Sequence, residues 1–444
     1  MRSGRSLGTA LATAVLVLCA AGASAQAGDP LTDAKARVQA LGDEHPELPK
    51  ALNALGALQL RAGDFAGAEN SFRRSLELAE ASGGIASPQL IPPLKGLGSA
   101  YAGQNRHDRA AAEFQRALAV SRRIDGLFNL QQLDILEPLI ASLVASGDYA
   151  GAERERLYSV RVVQQRYGAA DPRTLPMLTR LADWYELTGQ YAQQRTTERE
   201  AFDVARQQNG GRNAAVVEAL MGIARSHRLQ YAFDPASLRE ETALTVTPDG
   251  RIESSSRDPM ANPFPVDPAA GARLDKEGEQ ALLAALRILD GAADVHAPLK
   301  ARVLVELGDW YMTARRPNDA VRRYAEAWPL MPASLSGATQ NPLMAPRQLL
   351  YRSPPGAERY RDRPRSEIIE TTVEFSFTVT ADGGIKDIRK VASDVDPPTR
   401  ETRTERAIET SVYSPRFEAG KPVDTPDVRL KQVFYEPAPE PDKK

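Results

Sequence analysis

Four histidines, His45, His107, His227 and His296, are the first residues to weigh for chemistry, because an imidazole can serve as general base, proton shuttle or metal ligand near neutral pH. None has a second histidine or a cysteine at metal-ligand spacing. Carboxylate pairs suited to acid-base work, Glu240-Glu241 and Asp394 with Asp396, have no pocket signature around them and read as solvated surface. There is no P-loop, no Gly-x-Ser-x-Gly elbow and no His-Glu-x-x-His. Gly96-Leu97-Gly98 is half a dinucleotide fingerprint, but it lies inside a helical stretch instead of following a strand. The chain therefore reads as a non-enzyme with no metal and no small-molecule cofactor, and an unrecognised enzyme is the weakest alternative.

Polar side chains recur instead within a period of 42 residues. Leu52, Leu94, Leu136, Leu178 and Leu220 are spaced by that interval, with Leu55, Leu97, Leu139, Leu181 and Ile223 three residues behind each. Gly63, Asn105, Gly147 and Gly189 share a second offset, and Phe65, His107, Tyr149 and Tyr191 a third, which makes His107 a packing residue. Each unit reads as two helices. Leu52, Leu55, Gln59 and Leu60 hold the three-and-four spacing of one helical face, Gly63-Asp64 breaks it, and Ala68, Phe72, Ser75 and Leu76 restart it. One such unit cannot bury its apolar face, so several must stack.

Leu304, Leu307, Gly308, Tyr311, Ala320, Tyr324, Ala327 and Pro332 resemble a tetratricopeptide repeat at each of its usual marker positions, and the units starting near Lys50 and Lys95 carry most of the same markers. The units near Asp134 and Pro176 depart from it, because Arg156 and Glu198 stand where the family prefers an aromatic. A period of 42 in place of 34 implies longer second helices or longer joins. The resemblance covers roughly residues 45–333 and implies an α-solenoid whose first helices line a groove for extended peptides. On that face Lys50, Asn53, Lys95 and Ser99 suit a carboxylate, whereas Asp183 and Glu186 suit a basic segment. The bland reading of the same residues is a solvated helix face.

Residues 234–276 interrupt the array with six prolines. Within them, Leu244–Thr247, the turn Pro248-Asp249-Gly250 and Arg251–Glu253 predict a β-hairpin in an extended loop, before the final repeat helices of 277–333. Residues 334–365, rich in proline and arginine, read as a solvated linker. Beyond it Val373, Phe375, Phe377 and Val379 alternate with polar residues as a half-buried strand. The order that follows is strand, strand, helix, strand, a small α+β domain over 366–436 ahead of a tail at 437–444. The alternating Val373–Val379 run, the Asp382-Gly383 turn, Pro415-Arg416-Phe417 and Gly420-Lys421-Pro422-Val423 resemble the C-terminal domain of the TonB energy-transducer family. That resemblance implies pairing of a strand edge with a segment of an outer-membrane transporter, with main-chain hydrogen bonds supplying affinity. The last strand, with Leu430, Gln432 and Phe434, is then the candidate edge.

Overall composition sets the location and partner class. Lys+Arg total 56 against 58 Asp+Glu, 42% of residues are hydrophobic, and the balance leaves no basic footprint for nucleic acid. The one cysteine, Cys19, lies in the apolar run Leu7–Ala21, between Arg2 and Arg5 on one side and Ala23-Ser24-Ala25 on the other. This describes a secretory signal peptide over residues 1–25, cut before Gln26, followed by a mature N-terminal segment to residue 44. A lipoprotein signal using Cys19 is disfavoured by the bulky Leu18, and an uncleaved inner-membrane anchor by the shortness of the run. The expectation is a periplasmic scaffold that binds protein or peptide partners, including cell-envelope or outer-membrane transporter proteins. A true TonB-type energy transducer is the alternative.

Overall fold

The computed structural model describes residues 29–84, 87–208, 211–233, 244–246, 252–254, 274, 276–290, 297–331, 341–357, 359–361, 363 and 365–438. The expected signal segment 1–25, most of the insertion and the end of the tail lie outside them. The chain divides into two compact units: residues 1–126 with 137–148, and residues 127–136 with 149–444.

The first unit is built from α1 (Pro30–Leu41), α2 (Leu48–Arg61), α3 (Phe65–Gly83), α4 (Ile91–Gly103) and α5 (His107–Asp125), with most of α6 (Leu133–Ser146). Leu52, Leu55, Leu94 and Leu97, the residues that defined the period, are buried. Packing explains the small residues. A Cβ at Gly56 would lie 2.8 Å from the Phe72 ring, and one at Gly98 would lie 2.8 Å from Phe114, so glycine lets paired helices close onto a full aromatic side chain. Each first helix turns into its second through a left-handed residue at one repeat offset: Gly63 (φ 78°), Asn105 (φ 60°), Gly147 (φ 84°), Gly189 (φ 72°) and, in the last pair, Arg315 (φ 59°). Asp64 then caps α3 by accepting from the Gly67 amide at 2.9 Å.

The long period has two sources. The second helices α3, α5 and α7 (Tyr149–Tyr167) run 19 residues each, and a short 3₁₀ turn, Pro88–Leu90, Leu130–Gln132 or Pro172–Thr174, opens each following first helix.

In the second unit, α7 is followed by α8 (Leu175–Leu187), α9 (Tyr191–Arg206), α10 (Ala214–Phe233), α11 (Lys276–Asp290), α12 (Ala297–Thr313) and α13 (Pro317–Ala327). The insertion falls between α10 and α11, which pack together, so it splits one helix pair at its turn. Its hairpin is present: β1 (Leu244–Val246) pairs antiparallel with β2 (Ile252–Ser254), Val246 opposite Ile252. Tyr324 fills the aromatic place of the last pair against Gly308, as Phe72 does against Gly56.

After these helices comes β3 (Arg347–Leu350), then β4 (Ile368–Val379), β5 (Ile385–Ser393), α14 (Thr399–Glu409), β6 (Val412–Ser414), β7 (Arg416–Glu418), β8 (Lys421–Val423) and β9 (Thr425–Pro437). The main sheet has the order β5-β4-β9, antiparallel throughout, with α14 against β4 and β5. Val373, Phe375, Phe377 and Val379 form its core with Ile408, Tyr413 and Phe434, as the alternation requires. Gly420 stands in a two-residue turn with Ala419, both at positive φ, and this turn joins β7 to β8 as a hairpin.

The linker expectation for 334–365 is corrected. Within it β3 pairs antiparallel with β6, and Leu343, Leu349 and Leu350 are buried in the same apolar cluster as α10, α12 and α13. Three leucines removed from water supply roughly 1.5–3 kcal/mol each, which a solvated linker would forgo.

The aromatic slots carry the stacking of the pairs, so Phe114→Ala should cost about 3–5 kcal/mol. Urea denaturation followed by circular dichroism measures it, and a loss below about 1 kcal/mol would contradict this packing.

Candidate binding faces

On the first unit, the predicted residues sit on the exposed faces of α2 and α4, which neighbour one another. Lys50 is exposed and lies 3.9 Å from Glu47, a loose contact. Asn53 and Lys95 are half-buried, and the Asn53 Oδ1 atom is sealed from water without a hydrogen-bond partner. Ser99 Oγ donates back to the Lys95 carbonyl at 3.0 Å, so its hydroxyl is partly spent on its own helix. Among the described residues Lys95 makes no ion pair. This face thus offers one cation on a partly apolar surface, suited to an anionic side chain or chain terminus.

The second unit builds a denser arrangement. Asp183, on α8, is exposed. Glu186, one turn on, accepts from Gln194 Nε2 at 2.8 Å and lies 3.7 Å from Arg225 of α10. Arg225 also reaches Glu306 of α12 at 3.4 Å, and Glu306 receives Arg228 Nε at 3.0 Å and Nη2 at 2.8 Å. Burial opposes ionisation of Glu306, but the Arg228 and Arg225 charges outweigh it and hold its carboxyl below the usual glutamate range. One turn further along α12, Asp309 accepts from Tyr324 Oη at 2.7 Å and from both terminal nitrogens of Arg347, at 2.8 and 2.5 Å. Asp309 is only 2% exposed, and this two-pronged geometry is what a buried carboxylate requires.

Asp309 follows Gly308 as Ala57 follows Gly56 and as Asp183 follows Ala182, so it occupies in the last repeat the column that Asp183 occupies in its own. The sequence singles out Asp183 and Glu186 as candidates but not Arg225, Glu306, Asp309 and Arg347, which the structure links to Glu186 or to one another. The repeat offset that places Asp183 also leads to Arg225, 42 residues on, so that signal was present in the sequence.

Glu198, the departure from the aromatic pattern, packs its carboxyl against Gly222 of α10. Burial pushes its pKa up to about 8. Arg225 works against that rise, and the charges of Asp183, Glu186 and Glu218 reinforce it. Arg156, the other departure, lays its guanidinium 5.4 Å from the centre of the Trp184 ring.

In the candidate strand edge, β9 is an outer strand of its sheet. Gln432 and Phe434 are buried and Leu430 half-buried, so these side chains face inward. Tyr351 Oη donates to Gln432 Oε1 at 2.7 Å, and the Tyr435 amide donates outward to the Ala357 carbonyl at 3.0 Å. That end of the edge is covered by the chain itself. By alternation, the main-chain groups of Arg429, Lys431 and Val433 line the same rim. Among the described residues, no group of three or more His, Cys, Asp or Glu side chains is placed to hold a metal ion, and no helix is long and apolar enough to cross a membrane.

Residues 47–123 match the tetratricopeptide repeat family. No curated protein matches the chain. Among solved structures, BtubC (BKLC) of P. vanneervenii is similar at 16% identity and a TM-score of 0.37, over 60% of this chain and 92% of its own. The apo form of RapI is similar at 11% identity and a TM-score of 0.37, over 67% and 79%. The chain is mainly α, a tetratricopeptide-type array of helix pairs with a small C-terminal α+β region.

A carboxyl with its pKa raised in the folded state favours folding below its unfolded value, and that contribution is lost as pH rises toward the folded one. Stability should therefore fall between about pH 4.5 and pH 8 by up to about 1 kcal/mol per pH unit from Glu198 alone. Glu198→Gln should flatten that slope in thermal melts across the range. An unchanged slope would remove the carboxyl from the account.

Proposed function

We propose that the protein is an exported scaffold that binds protein or peptide partners on the first-helix faces of its repeats. The observation that carries this reading is Lys95, a half-buried cation without an ion pair among the described residues, on the face that tetratricopeptide repeats use for extended segments. A lysine stem laid on apolar surface with its charge free is positioned to meet an anionic partner group. Asp183, exposed and on the corresponding face of the second unit, favours a basic one. Net charge is near zero, so recognition depends on these local patches and not on the field of the whole molecule.

The charged start, apolar run and Ala23-Ser24-Ala25 support export to the periplasm. The strand alternation and turn residues of 366–436, together with an outer β9, support a TonB-like module that adds a partner strand along Arg429–Val433, beyond the part covered by Ala357. Energy transduction proper would need residues 1–25 to be kept as an anchor.

Two measurements test this. Lys95→Glu should reduce capture of acidic partners from an envelope extract by about tenfold while leaving helicity unchanged, and undiminished capture would take the residue out of the binding face. N-terminal sequencing of the exported chain should begin at Gln26, whereas Met1 retained in the inner membrane would favour the transducer.

A further inference from the structure

The first-helix side of the last helix pairs already holds a segment of the chain itself, a turn followed by the short strand β3. Residues 341–352 of the chain run across α10 and α12, with Leu343, Leu349 and Leu350 in the apolar surface and Arg347 clamped by Asp309. Asp309 is made ready for a guanidinium: Tyr324 Oη fixes one oxygen at 2.7 Å, and Glu306 nearby adds negative potential. Arg352, five residues on, places its guanidinium 5.7 Å from the Tyr231 ring of α10. The contact shares features with peptide recognition: a turn at Asn341–Met344 leading into the four-residue strand β3, apolar anchors, and one charge read by a two-pronged partner.

The segment is held at less than full strength. Arg347 Nε and, on Arg352, both Nε and Nη2 are sealed from water without hydrogen-bond partners. Each such orphan forgoes a hydrogen bond that it would make in water and so weakens the hold on the segment. The strand pairing is short, since β3 is four residues long, pairs with the three-residue β6, and breaks register between Gln348 and Leu350. Two further main-chain bonds hold the segment, from the Phe417 amide to the Leu343 carbonyl at 2.7 Å and from the Arg347 amide to Ser414 Oγ at 3.2 Å. About a third of the Arg347 side chain is open to solvent, which gives a competitor a place to begin.

We propose that residues 341–352 are an intramolecular ligand of an arginine-reading groove. The groove is closed by its own chain and opens to a partner protein segment that carries leucine, arginine and a leucine pair at the spacing of Leu343, Arg347, Leu349 and Leu350. This rests on the reading that first-helix faces bind peptide segments, but it concerns the last repeats and not the repeat that carries Lys95.

The test is fluorescence anisotropy with a labelled peptide of residues 341–352 and the full-length chain. The Arg347→Gln chain, its own ligand weakened, should bind the peptide at least tenfold more tightly than the wild type. Adding Asp309→Asn to it, or replacing the arginine at the 347 position of the peptide by glutamine, should abolish that gain. Equal binding to the wild-type and Arg347→Gln chains, or binding indifferent to the peptide's arginine, would overturn the proposal and make the segment fixed core. Circular dichroism checks folding. If Arg347→Gln loses helicity, Arg347→Lys keeps the charge without the fork and is held to the same comparison. Because the probe is the chain's own sequence, failure here leaves capture through Lys95 standing, and failure of that capture leaves this result intact.

Discussion

A carboxylate almost without water, Asp309, holds the end of the repeat array and the start of the C-terminal region together. Taking an aspartate and an arginine out of solvent costs several kcal/mol per ion, so the pair persists only because both terminal nitrogens of Arg347 and the Tyr324 hydroxyl meet the same two oxygens. Much of the second unit is arranged around that requirement. Tyr324 must stand in the aromatic slot against Gly308, β3 must be extended to deliver Arg347, and β6 must pair with β3. Phe417 then stacks on Trp328 and meets the edge of Tyr324, with ring centres about 6 Å apart in both contacts.

The same site explains why the solenoid ends where it does. A helix pair buries its apolar face against the next pair, and the last pair has none. Here Leu343, Leu349, Leu350, Val412 and Phe417 supply the missing surface. The C-terminal region therefore acts as a cap on the repeats. Burying the groove position of the last pair leaves Asp183 as the exposed acid of that column, while Glu186 is engaged by Gln194 and Arg225.

Much of the fold was legible because it rests on periodic or strongly local signals. The leucine columns gave the helix pairs, the Gly63, Asn105, Gly147 and Gly189 column gave their turns, and the alternation from Val373 to Val379 gave the central strand. What escaped has a common physical origin. Arg347 and Asp309 are 38 residues apart, and an arginine among prolines looks the same in a solvated linker as in a buried pair. Strands β6, β7 and β8 are three residues each, too short for a period of two to declare itself. On the first-helix faces, the exposure of Asp183 follows its column position, whereas the state of Glu198 depends on how deeply Gly222 lets it sink. Gln432 and Phe434 were placed on the right strand, but which of its sides faces the core follows from packing that the strand's own residues do not specify.

The central claim is that Asp309 and Arg347 act as one unit, and a double-mutant cycle tests it most directly. Asp309→Asn, Arg347→Gln and the double variant would be compared with the wild type by urea denaturation at neutral pH. Each single change strands a buried partner and should cost about 3 kcal/mol, while the double variant should cost at least about 1 kcal/mol less than the sum of the two. Strict additivity, with a coupling below about 0.3 kcal/mol, would contradict the account, because the cap would then be held by its leucines and aromatics alone.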